Sequence, residues 1–345
     1  MLGYSNLTII KLPKNTFSNF IGFFRAKLTI LKFSGFLRIA IGTGNLSIDD
    51  WTMWENCLWF QDFPLCNPEN SQSQEKKKKK EDEINFEEDF KGTLKSFLNH
   101  IMPSSVQYTN LLDFNLDHYV ISNIDVVLIP STPGRFRDRD MEKQGHRKIA
   151  SILKKCVPKP LNTVKEHRIL TYYTSNVGNA NEKFLKELLS SIFPNFITID
   201  ELKAEKRYKK ILTFTGSDLF RRIRIVYPTK KYIQASTEGP TQASCLSLHS
   251  DCYYCKDFPK ESFHQFESTK EYSCYEGVIP HVNMFIITDG NEQINDNTYI
   301  YLGSHNPGSS AWGKYEKDYS QLSITNYELG VLLPPGPSKT FERIV

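Results

Sequence analysis

The chain has 345 residues, of which 39% are hydrophobic and 13% are aromatic, and its formal net charge is +4. Its seven cysteines are an odd set scattered over a long chain, which argues against a secreted disulfide framework and favours a reduced intracellular compartment. No apolar run approaches the ~18 residues needed to span a bilayer, so we expect no membrane span. The length predicts two domains, and the mild positive charge permits a polyanionic partner without requiring one.

Short strands and helices alternate in the first half of the sequence. Leu28–Phe33 and Phe36–Ile41 are apolar runs separated by Ser34-Gly35, a spacing that predicts a β-hairpin. Periodicity predicts the remaining elements of this half, which are a helix over Gly92–Ile101, a strand over Ile124–Ile129 followed by a turn, and a helix over Gly145–Lys155.

A charged segment of low complexity interrupts this half. Residues 67–89 contain five consecutive lysines, Lys76 to Lys80, among serines, glutamines and acids, which predicts a disordered insertion. A nuclear-localisation role is the functional alternative, although lysines interleaved with acids more often form a solvated loop.

Two prolines mark the boundary between the halves. Val157-Pro158-Lys159-Pro160 breaks helix and strand alike, so we place the first domain at residues 1–157 and the second at residues 164–345. The alternation of strands and helices in both halves predicts α/β domains with mixed sheets. The elements predicted for the second half are strands over Ile169–Tyr173, Ile223–Tyr227, Val282–Thr288 and Thr298–Leu302, and a helix over Asn181–Ile192.

Two distant stretches of the chain share one pattern. Gly42–Trp51 and Gly303–Trp312 each follow a strand-like run, and both contain Gly, then Thr or Ser, any residue, Asn, five residues and Trp. Such a repeat predicts one site assembled from two similar halves. We expect both tryptophans to be core residues that anchor their loops.

Polar residues at the ends of the repeated strands converge in one cleft if the two halves face each other. They are Lys27, Asn45, His281, Asn283 and Asn306. The set has no carboxylate cluster that would hold a metal, whereas its cationic and amide groups suit the oxygens of a phosphate. His281 can transfer a proton to a leaving oxygen near neutral pH. The set therefore predicts metal-independent cleavage of a phosphodiester.

Further segments share a pattern with known proteins, namely Ser131–Phe136, Thr174–Gly178, Pro280-His281, Ser304–Asn306 with Ala311–Gly313, and Asn326–Leu332. Together with the repeat, they make the chain resemble the tyrosyl-DNA phosphodiesterase family of the phospholipase D superfamily, from about Arg25 to Pro335. The resemblance implies two phospholipase D-like α/β halves with mixed β-sheets flanked by helices. A pseudo-twofold axis would relate the halves, with the site at their interface.

This family uses two His-x-Lys…Asn motifs. The resemblance implies that the first histidine attacks the 3′-phosphate to form a phosphohistidine, and that the second protonates the leaving tyrosine. Lysines and asparagines hold the phosphate oxygens, and a glutamate supports the first histidine. The matching positions are Lys27 and Asn45 for the first motif, His281 and Asn306 for the second, and Glu328 for the supporting acid.

Three other positions are implied to contact the DNA. Asn56 stands where the family usually has Gln, and Ser175 and Asn176 lie on a turn that touches the DNA strand in the family.

Two positions depart from the family pattern. The position of the nucleophile is Arg25, which binds a phosphate but cannot form the phosphohistidine, and the position of the second lysine is Asn283. The chain therefore has a second interpretation, a catalytically impaired protein that still binds DNA phosphates. A third interpretation, a phospholipase or general nuclease of the superfamily, is disfavoured by the segments Ser131–Phe136 and Tyr327–Val331.

The favoured interpretation is an enzyme of DNA repair. The resemblance implies a phosphodiesterase with exonuclease-like action, which hydrolyses links between DNA 3′ ends and tyrosine or other adducts, including peptides left by topoisomerase I. It implies single-stranded 3′ ends as partners, a monomer in the nucleus, no membrane and no cofactor.

Two other features invite a functional interpretation that we do not favour. His305 stands beside Asn306, but side chains alternate along a strand, so it is not expected to be a substitute nucleophile. Cys252 and Cys255 form a single CxxC pair with irregular spacing to Cys245 and Cys274, which argues against zinc.

Overall fold

The structure is a computed structural model of the chain. It describes residues 22–66, 84–102, 107–110, 112–156, 168–178, 180–193, 199–208, 220–266, 277–290 and 294–335. The predicted boundary between the halves, residues 157–164, lies outside the described residues, as do residues 67–83 of the predicted insertion.

The described strands, in chain order, are β1 (Leu28–Lys32), β2 (Phe36–Gly42), β3 (Trp54–Glu55), β4 (Leu58–Pro64), β5 (Val127–Ser131), β6 (Gly134–Arg137), β7 (Ile169–Thr174), β8 (Ile223–Tyr227), β9 (Phe263–Gln265), β10 (Ile279–Pro280), β11 (Asn283–Thr288), β12 (Tyr299–Gly303), β13 (Lys314–Glu316), β14 (Gln321–Ile324) and β15 (Glu328–Leu333).

Six α-helices come first in chain order within the described residues: α1 (Ile48–Thr52), α2 (Phe86–Ile101), α3 (Asp138–Met141), α4 (Gly145–Cys156), α5 (Glu182–Ile192) and α6 (Ile199–Tyr208). Short helices follow at Lys230–Gln234, Ser250–Tyr253 and Ser309–Trp312. Within the part of the chain that the structure describes, no helix is both long and apolar enough to cross a membrane.

A seven-stranded sheet forms the centre of the fold, in the order β5-β15-β12-β11-β7-β8-β9. The pairs from β5 to β7 are antiparallel, whereas β7, β8 and β9 pair in parallel. Both faces of this sheet are buried, since Tyr301 of β12 packs in one core with α4 and α5, and Leu302 packs in a second core with α2. A mixed sheet covered on both faces confirms the predicted α/β class.

Smaller sheets complete the fold. A three-stranded antiparallel sheet, in the order β1-β2-β4, contributes Ile39 to the same core as Leu302 and Phe90 of α2. A third antiparallel sheet has the order β13-β14-β6. A two-stranded parallel ladder, β10-β3, joins the two halves of the chain by pairing Ile279 with Trp54.

Most predicted elements are confirmed near their predicted bounds. β1 and β2 form the predicted hairpin, and β8 has the predicted bounds Ile223–Tyr227. Asn181 caps α5 because its side chain accepts a hydrogen bond from the backbone N–H of Phe184, so the helix begins where the sequence predicts.

The predicted turn after Ile129 is wrong. β5 continues to Ser131, and β6 begins at Gly134. Pro130 cannot donate a ladder hydrogen bond, but β5 lies at the edge of the sheet, where one row of backbone groups needs no partner.

The predicted disorder of residues 67–89 is also wrong at its C-terminal end. Helix α2 begins at Phe86, six residues before the predicted start at Gly92, and Asn85 caps it by accepting from the N–H of Glu88. Acidic residues in its first turn favour a helix N-terminus, and Phe90 anchors this turn in the core. Capping and packing therefore outweigh the charge of the segment.

Strand β5 complicates the predicted division into two domains. It belongs to the first half of the sequence, yet it pairs with β15 of the second half over five residue pairs, from Ser131–Glu328 to Val127–Leu332. The division at residues 157–164 stays a prediction, and the central sheet contains strands from both sides of it.

Candidate active site

One edge of the central sheet collects the ends of several strands. Ser131 at the end of β5 pairs with Glu328 at the start of β15, and Thr174 at the end of β7 pairs with Asn283 at the start of β11. β12 ends at the same edge, at Gly303. Strand register therefore brings together the site residues predicted for the second half of the chain.

Glu328 is fully buried at this edge. Its Oε2 accepts a hydrogen bond from Ser304 Oγ at 2.6 Å, and its Oε1 accepts one from Asn326 Nδ2 at 3.0 Å. Burial raises the pKa of the Glu328 carboxyl to about 7, and these hydrogen bonds oppose the shift. The charges of Arg25 and Lys27 oppose it as well, so Glu328 and the first motif share one electrostatic environment.

Lys27 and Arg25 enter the site on the segment that precedes β1. Lys27 Nζ donates to the backbone O of Arg25 at 3.0 Å, and the N–H of Arg25 donates to the O of Tyr327 at 2.9 Å. Burial lowers the pKa of the Lys27 ammonium, while the carboxylates of Glu328 and Asp50 oppose the change. Two cations beside buried carboxylates suit an anionic ligand such as a phosphate.

Asp50 is a site residue that sequence reasoning missed. His281 Nδ1 lies 2.8 Å from Asp50 Oδ2, and Asp50 is 2% exposed. Burial lowers the pKa of His281, and the Asp50 carboxylate opposes this shift. Because the carboxylate holds Nδ1, Nε2 is the ring nitrogen that remains to exchange a proton with a substrate.

Residues at the start of α1 fix the Asp50 carboxylate. The N–H of Asn45 donates to its Oδ2 at 2.8 Å, and Ser47 Oγ donates to its Oδ1 at 2.5 Å. Burial pushes the pKa of Asp50 upwards, but these hydrogen bonds and the nearby His281 hold it below its usual value. The Ser-x-x-Asp spacing is a helix-capping signal in the sequence, and it could have marked Asp50 as an inward-facing residue.

The segment after α1 holds His281 at two further points. The N–H of His281 donates to the O of Glu55 at 2.8 Å, next to the β3–β10 ladder. The indole of Trp54 lies edge-on to the imidazole with 5.4 Å between ring centroids, and its Nε1 donates to the O of Gln242 at 3.0 Å. The first half of the chain thus orients the histidine of the second half.

Comparison with known proteins identifies the family of this chain. The family model described as tyrosyl-DNA phosphodiesterase matches residues 3–343, which is nearly the whole chain. The chain belongs to the tyrosyl-DNA phosphodiesterase family.

Two curated members of the family are similar in sequence. The chain is 28% identical over 328 residues to tyrosyl-DNA phosphodiesterase 1 of Arabidopsis thaliana, which covers 92% of this chain and 48% of that protein. It is 22% identical over 319 residues to tyrosyl-DNA phosphodiesterase 1 of Drosophila melanogaster, which covers 90% of this chain and 49% of that protein. The chain thus spans about half the length of these relatives.

A solved structure shows the same fold. The crystal structure of the yeast tyrosyl-DNA phosphodiesterase matches with a TM-score of 0.62 and 15% identity, over 90% of this chain and 66% of that chain. This similarity confirms the predicted phospholipase D-like fold.

The two asparagines of the predicted site in the second half are almost fully buried. Asn283 is 6% exposed and Asn306 is 8% exposed. Asn283 Oδ1 accepts a hydrogen bond from Thr174 Oγ1 at 2.8 Å, so this amide is tied to the end of β7. At the position of the family's second lysine, the chain therefore places a neutral side chain that is bound to the sheet.

The turn after β7 holds the residues predicted to touch DNA. Ser175 is 1% exposed, and its carbonyl accepts from the N–H of Ser247. Asn176 is half-buried, and its Oδ1 accepts from the N–H of Gly178 at 2.9 Å. Of the two residues, Asn176 offers the larger surface, and contact with DNA stays a prediction for both.

The amides of the first half belong to the loop that carries Asp50. Asn45 is exposed, and its Nδ2 donates to Asp50 Oδ2 at 3.2 Å. Asn56 Oδ1 accepts from Thr43 Oγ1 at 2.8 Å, and its Nδ2 donates to the O of Asp50 at 2.6 Å. Both ends of the Asn56 amide thus stabilise the loop, and its predicted contact with substrate stays a prediction.

His305 is fully buried in the core, two residues beyond the end of β12. Its Nδ1 pairs with the Tyr301 hydroxyl, its Nε2 lies 3.0 Å from Ser131 Oγ, and its ring stacks on Trp312 with 4.1 Å between centroids. Both ring nitrogens are occupied, so His305 is not a substitute nucleophile.

The two repeated tryptophans differ. Trp312 is fully buried, which confirms the prediction for the second loop. The prediction for Trp51 is wrong, since this side chain is 47% exposed and its Nε1 donates to the O of Asn45. The reason is that Asp50, held by His281, is the inward-facing residue of α1.

The cysteine-rich loop shows free thiols. Cys245, Cys252 and Cys255 are unpaired, and Cys274 lies outside the described residues. Within the described ranges, no group of three or more His, Cys, Asp and Glu side chains could hold a metal ion.

Proposed function

We propose that this chain hydrolyses phosphodiester links between the 3′ end of DNA and tyrosine or another adduct. The observation that carries the proposal is the Asp50–His281 pair, which lies near the half-buried Lys27, itself close to Arg25 and Glu328. Family membership supports the same substrate class, because the curated relatives are named tyrosyl-DNA phosphodiesterases.

The geometry suits a reaction without a resident metal. Lys27 and Arg25 bind the non-bridging oxygens of the phosphate, and Asn45 and Asn306 add amide donors. His281, protonated at Nε2 and paired with Asp50 at Nδ1, gives its proton to the tyrosyl oxygen as the bond to phosphorus breaks.

Arg25 changes the identity of the attacking group. A guanidinium cannot form the phosphohistidine that the family uses, so in this proposal a water molecule attacks the phosphorus directly. The water gives up its proton to solvent as its oxygen bonds to phosphorus. We expect turnover to be slow, because water replaces a positioned nucleophile.

The test uses an oligonucleotide with a 3′-phosphotyrosine. We expect release of a 3′-phosphate, and His281→Ala should lower its rate by roughly 10²- to 10⁴-fold because the proton donor is lost. His100→Ala is the matched control, since this histidine is exposed on α2, and its ring nitrogen Nδ1 contacts only the backbone O of Ser96. An unchanged rate in His281→Ala would remove the assignment of His281.

Arg25 and Asn283 favour a second candidate function, a protein that binds DNA 3′ ends without cleaving them. Binding that weakens with salt, in the absence of any tyrosine release, would select this candidate. Release of tyrosine by the purified chain would reject it.

The remaining proposals concern partners and location. We propose single-stranded 3′ ends and topoisomerase I-derived peptides as substrates, a monomeric protein, and a nuclear role in DNA repair. Expression of a fluorescent fusion with and without Lys76 to Lys80 tests the location, and cytoplasmic signal from both forms would contradict it.

A further inference from the structure

The imidazole of His281 has two neighbours of different chemistry. The carboxylate of Asp50 contacts its Nδ1, and the indole of Trp54 lies edge-on to the ring with 5.4 Å between centroids. The side chain of His281 is 17% exposed, so its neighbours decide how much water reaches the ring. Trp54 therefore forms one wall of the histidine site.

Gln242, from the second half of the chain, holds this indole in place. Its backbone O accepts a hydrogen bond from Trp54 Nε1 at 3.0 Å, and its side-chain Nε2 donates to the O of Met53 at 3.2 Å. Gln242 is 2% exposed, so both hydrogen bonds are shielded from water. One buried residue thus contacts two successive residues of the first half, which leaves Trp54 few other positions.

The segment that carries Gln242 is itself anchored to the central sheet. It is a short 3₁₀-helix over Gly239–Cys245, and Ser247 follows two residues after its end. The N–H of Ser247 donates to the O of Ser175 at 2.9 Å, and its O accepts from the N–H of Val177 at 3.0 Å. Because the turn at Ser175 directly follows β7, Gln242 stands on a rigid base.

The amide of Gln242 has a feature that stability alone does not explain. Among the described residues, its Oε1 is buried and has no hydrogen-bond partner. An unpaired buried acceptor costs free energy, and an apolar side chain of the same length would not carry this cost. The contribution of the amide therefore comes from Nε2, the atom that contacts Met53.

We propose that Gln242 is a positioning residue for His281, because it holds Trp54 where the indole orients the imidazole and keeps water from it. A proton donor has to stay within hydrogen-bond reach of the leaving oxygen, so a fixed ring favours transfer. The proposal rests on the proposed function only for the role of His281 as the proton donor. The contacts themselves, and their effect on the imidazole, need no substrate.

The groups around His281 set the sign of the expected effect. Burial lowers the pKa of His281, the Asp50 carboxylate opposes this shift, and the charge of Lys27 lowers the pKa further. Trp54 is uncharged, and Glu55 reaches His281 through its backbone O. If the indole is loosened, water enters and the effect of burial weakens, so the pKa should rise towards the ordinary 6.5. Removal of the Asp50 carboxylate would shift it in the opposite direction.

The experiment is a pH titration of the histidine ring protons by NMR, on the chain without DNA. The spectrum of His281→Ala identifies the resonance of His281. Gln242→Met removes the Nε2 donor, and Trp54→Phe keeps an aromatic ring but loses Nε1. The matched control is Thr241→Ala, the exposed neighbour on the same 3₁₀-helix, whose Oγ1 donates to the O of Glu238.

We expect both variants to raise the pKa of His281 and the control to leave it unchanged. Gln242→Met combined with Trp54→Phe should raise it no further than Trp54→Phe alone, because both remove the same support. With a 3′-phosphotyrosyl oligonucleotide, kcat should fall roughly tenfold while KM stays within about twofold, since the phosphate contacts are untouched. The alkaline limb of the pH–rate profile should shift to higher pH, because His281 stays protonated further up the pH range.

An unchanged pKa of His281 in both folded variants would overturn the proposal, even if urea denaturation showed that they are less stable. A lowered pKa would overturn it as well, because Trp54 would then not shield the ring. If the pKa rises in both variants but the unmodified chain releases no tyrosine, Gln242 remains a positioning residue and the proposed function is rejected.

Discussion

The two repeated loops begin with the same spacing and end in opposite environments. In the second loop, Trp312 is fully buried and Asn306 is 8% exposed. In the first loop, Asn45 is exposed and Trp51 is 47% exposed. In both loops a short helix begins three residues after the asparagine, while packing around the helix decides whether its tryptophan is buried or exposed.

Their neighbours explain the difference. The second loop closes over the central sheet, where Trp312 stacks on His305 and donates to the Tyr172 hydroxyl. The first loop lies at the rim of the site, and its inward-facing position is taken by Asp50. One half of the repeat is stabilised by a core, and the other by the contact between Asp50 and His281, which belongs to the proposed active site.

The largest effect is expected from completing the first half of the repeat. Arg25→His restores a histidine beside Lys27, on a backbone held by the hydrogen bond from its N–H to Tyr327. We expect turnover of a 3′-phosphotyrosyl oligonucleotide to rise by roughly 10²- to 10³-fold, with a covalent DNA–enzyme intermediate on gels of samples quenched in SDS at alkaline pH, where a phosphohistidine is stable. Arg25→Lys is the control. If turnover by Arg25→His did not rise, residues of the first half other than the nucleophile would also limit catalysis.

The next prediction tests the difference between the two tryptophans. Trp312→Ala should lower the free energy of unfolding by about 3–5 kcal/mol, since it empties a fully buried position. Trp51→Ala should cost about 1 kcal/mol or less, because half of its surface already faces solvent. Urea denaturation of both variants measures the pair, and equal losses would mean that the two loops are stabilised alike.

Asp50→Asn tests the contact between Asp50 of the first loop and His281. The loss of the carboxylate should lower kcat roughly 10²-fold, because His281 is no longer oriented and its protonated form is less stable. Since Asp50 opposes the lowering of the His281 pKa, its removal lowers this pKa further. A step that needs protonated His281 should then lose its rate at a lower pH. The alkaline limb of the pH–rate profile should therefore shift to lower pH.

Asp49→Asn provides the control for this prediction, because Asp49 is exposed on the same helix. A rate profile for Asp50→Asn that overlays those of the control and the unmodified chain would remove Asp50 from the site.

The smallest effect is expected at Glu328. Its pKa in the folded chain, about 7, exceeds the ordinary value of 4.5, so the fold binds this proton more tightly than the unfolded chain does. Stability should therefore be complete below about pH 4.5 and should fall as the pH rises towards 7. Glu328→Gln removes this dependence, which we expect to amount to about 1–2 kcal/mol between pH 5 and pH 8. If the free energy of unfolding changed with pH equally in Glu328→Gln and in the unmodified chain over this interval, the raised pKa of Glu328 would be contradicted.

The sequence predicted those features that depend on local pattern. Apolar periodicity located β1, β2, β8 and α5, the repeated motif predicted that Lys27 and His281 share one site, and the family resemblance added Glu328 to it. Features that depend on contacts between distant segments were missed. Asp50 is polar in a short helix, and only the fold shows that it meets a histidine 231 positions away. Helix α2 begins before its predicted start because Phe90 packs in the core, and the charged residues around Phe90 gave no sign of this in the sequence.

The pairing of β5 with β15 has a mechanical consequence. These strands come from opposite sides of the predicted boundary, and their ladder ends at Ser131 and Glu328, directly at the site. Separating the two halves would break the β5–β15 ladder within a sheet that is packed on both faces. We therefore expect no hinge motion between the halves. The spacing of the strand ends at the site is expected to stay fixed. In the proposed function, a DNA 3′ end therefore has to fit the site in the arrangement that this sheet holds, which favours flexible ends over stiff duplex.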